Sequence, residues 1–192
     1  MNTVPFVAAL CLLIAGCDRA PPTPPLAGST IGGPFSLVDQ HNRPVTDRSF
    51  AGRYRIMYFG YTFCPDVCPT DAAAIGAGLR KFEAEHPEAG SGVVPIFVSV
   101  DPQRDTPAVL GQFVGAFHPR MVVLTASEAA IATVAKEYGV PVSREKANAA
   151  GAYLVGHGRQ AYLMDPNNKP LALLPADGGA DAVAAELERW VR

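Results

Sequence analysis

Cys64 and Cys68, in the run Cys64-Pro65-Asp66-Val67-Cys68, are the residues whose type and spacing speak most directly of chemistry. At i and i+4, on or just before a first helical turn, two sulfurs face the same side, within reach of one another or of a single ion. The free amides and positive dipole end of a helix N-terminus favour thiolate, so two ready thiolates are expected. As soft donors they suit Cu(I) or Zn, with a third donor such as an imidazole completing the site. Thioredoxin-type redox motifs have two intervening residues; three here loosen the oxidoreductase reading and leave it open.

The candidate third donors are His41, His86, His118 and His157. His41 falls in a polar turn, and His86 and His118 each precede a proline at an expected helix end, where a solvated ring is the simplest expectation. His157 stands between Gly156 and Gly158 and between short apolar segments, so a hairpin-like loop at the sheet edge is expected to present its ring. Met57, Met121 and Met164 sit in apolar strand-like runs and are assigned to the core. Asp101, Arg104 and Asp105 read as an ion-pair network in a loop, with no catalytic role.

The elements that must position these groups are legible from periodicity. Residues 35–38 and 44–46 flank polar residues 39–42, the pattern of a hairpin. Residues 54–59, apolar apart from Arg55, predict a buried strand running into Gly60 and the first cysteine. Pro69 fits a first helical position, and Ala72, Ile75, Leu79 and Phe82 recur at helical spacing to about Glu85. The thiol pair therefore sits at a strand-to-helix junction. Residues 93–100 predict the next strand, Thr106-Pro107 opens a helix, and residues 121–124 a further strand. Ser127 caps a helix that Gly139 stops. An irregular polar loop is expected over 143–151, short strands over 153–155, 160–164 and 171–174, and a last helix over 181–191. Strands alternating with helices, then a hairpin and a terminal helix, describe an α/β fold with a central mixed sheet, most economically the thioredoxin-like fold with an N-terminal β-hairpin and a C-terminal helix.

Composition narrows the function classes. The 18 Gly and 18 Pro of 192 residues stay below the roughly 25–30% that marks disorder. Sixteen Lys and Arg against eighteen Asp and Glu leave a net charge of −2, too balanced for a surface built to neutralise phosphates, so nucleic acid is not an expected partner. Residues 6–16 are apolar and uncharged, too short for a membrane span of about 20 residues and suited to a signal-peptide core. Ile14-Ala15-Gly16-Cys17 resembles a bacterial lipobox, although no Lys or Arg precedes Phe6. The expected organisation is a lipoprotein signal peptide over 1–16, a lipidated, Pro-rich, extended tether over 17–32 and a folded domain over 33–192. Cys11 leaves with the signal and Cys17 carries lipid, so the folded part keeps only Cys64 and Cys68. An exported domain with two thiols this close is expected to use them for chemistry rather than bracing.

Several segments share a further likeness: Gly33-Pro34-Phe35; residues 58–62 leading into Cys64-Pro65-Asp66-Val67-Cys68-Pro69-Thr70; Val100-Asp101-Pro102 with Arg104-Asp105-Thr106-Pro107; and Tyr153-Leu154-Val155 with His157, followed by residues 162–166. Together they resemble the SCO/SenC family, which delivers copper for cytochrome c oxidase assembly. The resemblance implies a thioredoxin-like fold and copper, as Cu(I) with Cu(II) as the further option, held by Cys64, Cys68 and His157. It further implies delivery to the dinuclear copper centre of oxidase subunit II, with other copper chaperones or thiol reductases as further partners. Placement at the periplasmic face of the membrane, anchored at Cys17, also fits. The sequence departs from the family at Gly156 and Gly158, where Asp usually precedes the histidine and Ser or Thr follows. Lost partners of a ligating imidazole typically cost about 10–100-fold in affinity. The reading from another class is a thiol-disulfide oxidoreductase cycling Cys64 and Cys68, with a peroxidase of the same fold a third.

Overall fold

Asp39 organises the turn of the N-terminal hairpin: its carboxylate accepts the amides of His41 and Arg43, at 2.8 and 2.9 Å. Asn42 adopts φ 58°. This closes the expected hairpin between β1 (Ser36–Asp39) and β2 (Pro44–Thr46), paired antiparallel. A 3-10 turn, Asp47–Phe50, leads into β3 (Tyr54–Gly60). Then follow α1 (Val67–Glu85), a short α2 (Pro87–Ser91), β4 (Val93–Ser99), α3 (Pro107–Val114), β5 (Val122–Thr125) and α4 (Glu128–Glu137). The chain ends with β6 (Val142–Arg144), β7 (Val155–His157), β8 (Ala161–Met164), β9 (Pro170–Leu174) and α5 (Gly179–Trp190). The computed structural model describes residues 22–192; the expected export signal and Cys17 lie outside them.

The main sheet has the order β2-β1-β5-β4-β3-β8-β9. β3 pairs parallel with β4 and antiparallel with β8, while β4 pairs parallel with β5 and β8 antiparallel with β9. The unit β3-α1-β4 followed by β8-β9-α5, with α1 packed against α5, is the thioredoxin-like arrangement. Residues 56–59 of β3 are at most 2% exposed, as a central strand covered on both faces requires. Ala72, Ile75, Leu79 and Phe82 form the buried stripe of α1 against that sheet. Each of the larger of these side chains contributes about 1.5–3 kcal/mol on burial. The thiols thus rise from the carboxyl end of a parallel strand that the whole core holds still, the end where α/β sheets present ligand sites. Met57, Met121 and Met164 are all buried in that core.

Four details differ from the sequence expectation. α1 starts at Val67, so Pro69 is its third residue; the first four helical amides have no intrahelical acceptor, and a proline is harmless there. Packing begins before Gly33: residues 25–28 form a turn, the Leu26 amide donates to the Leu171 carbonyl at 3.0 Å, and Leu26 rests on the core. The polar stretch after α4 is not wholly irregular, because Val142–Arg144 forms a strand with Val155–His157. These two make a separate small sheet, an arm between α4 and β8. Finally, His118 is 2% exposed rather than solvated. Its Nδ1 accepts the Arg120 amide at 3.2 Å and its Nε2 faces the Glu83 carboxylate at 3.3 Å. His41 and His86 are exposed, as expected.

Candidate metal centre

The junction after β3 brings Cys64 to a half-buried position just ahead of α1 and Cys68 to the second residue of the helix, fully buried. The Cys68 amide donates to the Cys64 sulfur at 3.4 Å. His157 closes the group: its Nε2 lies 3.1 Å from the Cys68 Sγ. One donor atom from each of Cys64, Cys68 and His157 lies within 4.8 Å of the others. The structure therefore brings together all three residues singled out from the sequence. His157 itself sits on a strand end, paired opposite Val142, rather than in a free loop.

The imidazole is oriented from both sides. Nδ1 lies 2.9 Å from the Gly158 carbonyl, which can only accept, so Nδ1 carries the proton and Nε2 turns a lone pair to the sulfurs. Tyr58 and Tyr61 present near-perpendicular rings to it, at centroid distances of 6.5 and 5.8 Å. The Tyr61 hydroxyl accepts the Val155 amide at 3.4 Å, tying the start of β7 to the end of β3. The two glycines are matched to this arm. A Cβ at Gly156 would stand 2.8 Å from the Ser143 Oγ, and one at Gly158 would meet the Gln160 side chain and stand 3.1 Å from Pro141 Cδ. At Gly156 a Cβ would require only that the Ser143 hydroxyl turn aside, whereas at Gly158 the Gln160 side chain would have to swing away and Pro141 give by a few tenths of an ångström. The backbone carbonyl of Gly158 supplies a hydrogen-bond partner for the ring where no side chain does.

The two thiols are not equivalent, which corrects the expectation of two ready thiolates. For Cys64, burial raises the pKa, but hydrogen bonds from the Cys68 thiol and from the backbone of Asp66, Cys68 and Val67 outweigh it, and the net shift is downward. For Cys68, burial pushes the thiol far up, and the neighbouring Cys64 pushes the same way; contacts with the backbone of Tyr61 and with Tyr58 only partly offset this. Burial also holds His157 below the ordinary imidazole value, so the ring is a neutral donor. A protonated Cys68 faces the Nε2 lone pair, beside a Cys64 biased to thiolate.

Around this group lie residues whose part the sequence did not reveal, among them Asp105, which was expected in an ion-pair network with Asp101 and Arg104 and instead takes neutral donors. Asp105 accepts from the Thr62 amide at 3.1 Å, the Thr62 hydroxyl at 2.6 Å and the Ser99 hydroxyl at 2.6 Å, fixing the turn that leads to Cys64. Its carboxyl is held above its usual range by burial. Arg104 pairs with Asp101 at 2.5 Å as the loop reading expected, and its guanidinium lies over the Tyr153 ring at 3.7 Å and near the Phe63 ring at 5.0 Å. Tyr58 donates to the buried carboxylate of Asp71 at 2.9 Å. Among the described residues a second convergence of donors, Glu85, His86 and Glu188, is exposed at the far end of α1. It is rich in hard oxygen, whereas the sulfur group suits a soft ion.

A thioredoxin-like domain with two thiols at its first strand-to-helix junction, and an imidazole brought onto them by a separate arm, defines a soft-metal or thiol-exchange protein. The sequence pattern of SCO1/SenC matches residues 23–192. The chain belongs to the SCO1/SenC family. It is 40% identical over 143 residues to the Arabidopsis thaliana protein SCO1 homolog 1, mitochondrial, covering 74% of this chain and 42% of that one. It is 38% identical over 159 residues to protein SenC of Rhodobacter capsulatus, covering 82% and 69%. Among solved structures it resembles Bradyrhizobium japonicum ScoI with copper bound, at 37% identity and a TM-score of 0.75, over 84% of this chain and 99% of that one. The chain thus spans less than half the length of the Arabidopsis relative.

Proposed function

We propose that this chain is a copper metallochaperone that holds Cu(I) as cargo between the thiolates of Cys64 and Cys68 and the Nε2 of His157. It passes the ion by ligand exchange to the dinuclear copper centre of cytochrome c oxidase subunit II. The observation that carries this reading is the convergence of two sulfurs and an oriented, neutral imidazole, one donor atom each, within 4.8 Å. That donor set is soft enough for Cu(I), and with no rigid fourth ligand it leaves the ion open to an incoming thiolate. A relative with 37% identity, ScoI, has been solved with copper bound. Loading requires both thiols to lose their protons, including the one that burial has pushed up, so affinity rises with pH. Membership of the family supports a role in oxidase assembly. The same reading places the domain at the periplasmic face, lipid-anchored at Cys17, with the Pro-rich residues ahead of Leu26 as the link to the membrane.

A second reading rests on the inequality of the two thiols. A half-exposed Cys64 biased to thiolate beside a buried, protonated Cys68 is the division of labour of a thiol-disulfide oxidoreductase, one sulfur attacking and the other resolving. The two activities exclude each other only at a given moment, since an oxidised pair cannot hold copper. Titration of the reduced, metal-free protein with Cu(I) against a competing chelator separates them. The chaperone reading expects one tight equivalent, weakened in His157→Ala. The enzyme reading is favoured if His157→Ala leaves copper affinity unchanged while Cys64→Ser abolishes reduction of a partner disulfide.

A further inference from the structure

The side chain of Asp71 is 1% exposed on α1, three residues beyond Cys68. The rest of the buried stripe of this helix is apolar, so packing gives no reason for a carboxylate there, and a buried charge is costly unless paired. The pairing comes from Arg159, two residues beyond His157 and 88 residues away in sequence. Its Nη2 donates to Oδ1 at 2.8 Å and its Nε to Oδ2 at 3.1 Å, a two-point grip that a planar guanidinium makes and an ammonium cannot. The Tyr58 hydroxyl, from β3, donates to the same carboxylate.

The location of this pair matters because the arm that carries His157 is not part of the main sheet. β7 is bonded in ladder only to β6. Ahead of His157 the arm is tied to the body by Val155 on the Tyr61 hydroxyl and by the Tyr153 carbonyl on Arg104. Behind it, the side-chain tie is Arg159 on Asp71. Resting on the copper reading above, we propose that Asp71 and Arg159 are positioning residues for copper: their ion pair clamps the segment after His157 to the helix that bears Cys68, and so fixes Nε2 over the two sulfurs. With Gly156 and Gly158 offering the ring no side-chain partner, this clamp and the Gly158 carbonyl share the work of holding it.

The test is a double-mutant cycle on the reduced protein, read by Cu(I) competition against a chromogenic chelator and by X-ray absorption at the copper edge. Arg159→Gln removes the grip; Asp71→Asn with Arg159→Gln removes it without leaving a lone buried carboxylate, which guards against simple unfolding. Both are expected to weaken Cu(I) retention about 10–100-fold and to diminish the copper–nitrogen signal. In a His157→Ala background the same changes are expected to alter affinity by less than about twofold, because their effect runs through the ring. Undiminished affinity and nitrogen signal in the Asp71→Asn, Arg159→Gln protein overturns the proposal, as does an equal loss in the His157→Ala background. If His157→Ala alone leaves affinity untouched, the copper reading fails with it. If His157→Ala weakens binding while the clamp variants do not, only the clamp fails.

Discussion

The molecule buries or half-buries two imidazoles, near opposite ends of α1, and treats them in opposite ways. His118, near the helix C-terminus, uses Nδ1 to accept the Arg120 amide and turns Nε2 on Glu83, itself ion-paired to Arg120. Both ring nitrogens are spent. His157, at the N-terminal end, spends Nδ1 on the Gly158 carbonyl and leaves the Nε2 lone pair on the Cys68 sulfur. Burial lowers both rings below the ordinary value, so neutrality does not distinguish them. What distinguishes a ligand from a structural ring is which nitrogen the fold leaves unspent, and what faces it.

The strongest way to break the comparison is to remove a sulfur. Cys68→Ser is expected to abolish copper retention under chelator competition, because one thiolate and one imidazole remain for a soft ion. Next, the two histidines should separate stability from binding. His157→Ala is expected to weaken Cu(I) by at least about 100-fold, beyond the loss of an outer partner, with a urea midpoint nearly unchanged. His118→Ala is expected to cost about 1–3 kcal/mol in urea unfolding, leaving the Arg120 amide without its acceptor, with copper affinity unchanged.

A pH series sharpens the contrast further. Burial depresses the folded pKa of His118, opposed by Glu83 and aided by Arg120 and Arg80. The unfolded chain therefore takes up the proton first as pH falls. Its contribution to stability is whole above the unfolded value of about 6.5 and is lost as pH falls from there through the folded pKa. Urea midpoints of the metal-free protein at stepped pH should decline over that window less steeply in His118→Asn than in the parent. The smallest effect is expected at the rim: Phe63→Ala removes a 52% exposed ring beside Arg104 and should cost about 0.5–1 kcal/mol, measured by the same unfolding curves.

These contrasts also mark what a sequence can disclose. The strand, the thiol pair and the helix were legible together because apolar runs of distinct period meet at a cysteine spacing with one geometric meaning. Ser127 and Thr106 announced their helices and do accept the amides of Ala130 and Val109. His157 stood apart from the other histidines through its flanking glycines, but only the family resemblance made it the expected ligand, since local sequence says nothing about a sulfur 89 residues away. His118 was misjudged for the same reason: a histidine before proline looks solvated until Glu83, 35 residues earlier, is folded against it. The strand Val142–Arg144 is exposed throughout, so no alternation of burial betrays it. Asp71, Arg159 and Tyr58 carry no local signal, and only the fold brings them together.

The central claim is that both sulfurs and the Nε2 of His157 bind one copper ion. X-ray absorption at the copper edge of the Cu(I)-loaded protein tests it most directly. The account predicts sulfur scattering accompanied by a nitrogen contribution with imidazole character that disappears in His157→Ala. A sulfur-only spectrum, identical in the parent and in His157→Ala, would contradict it.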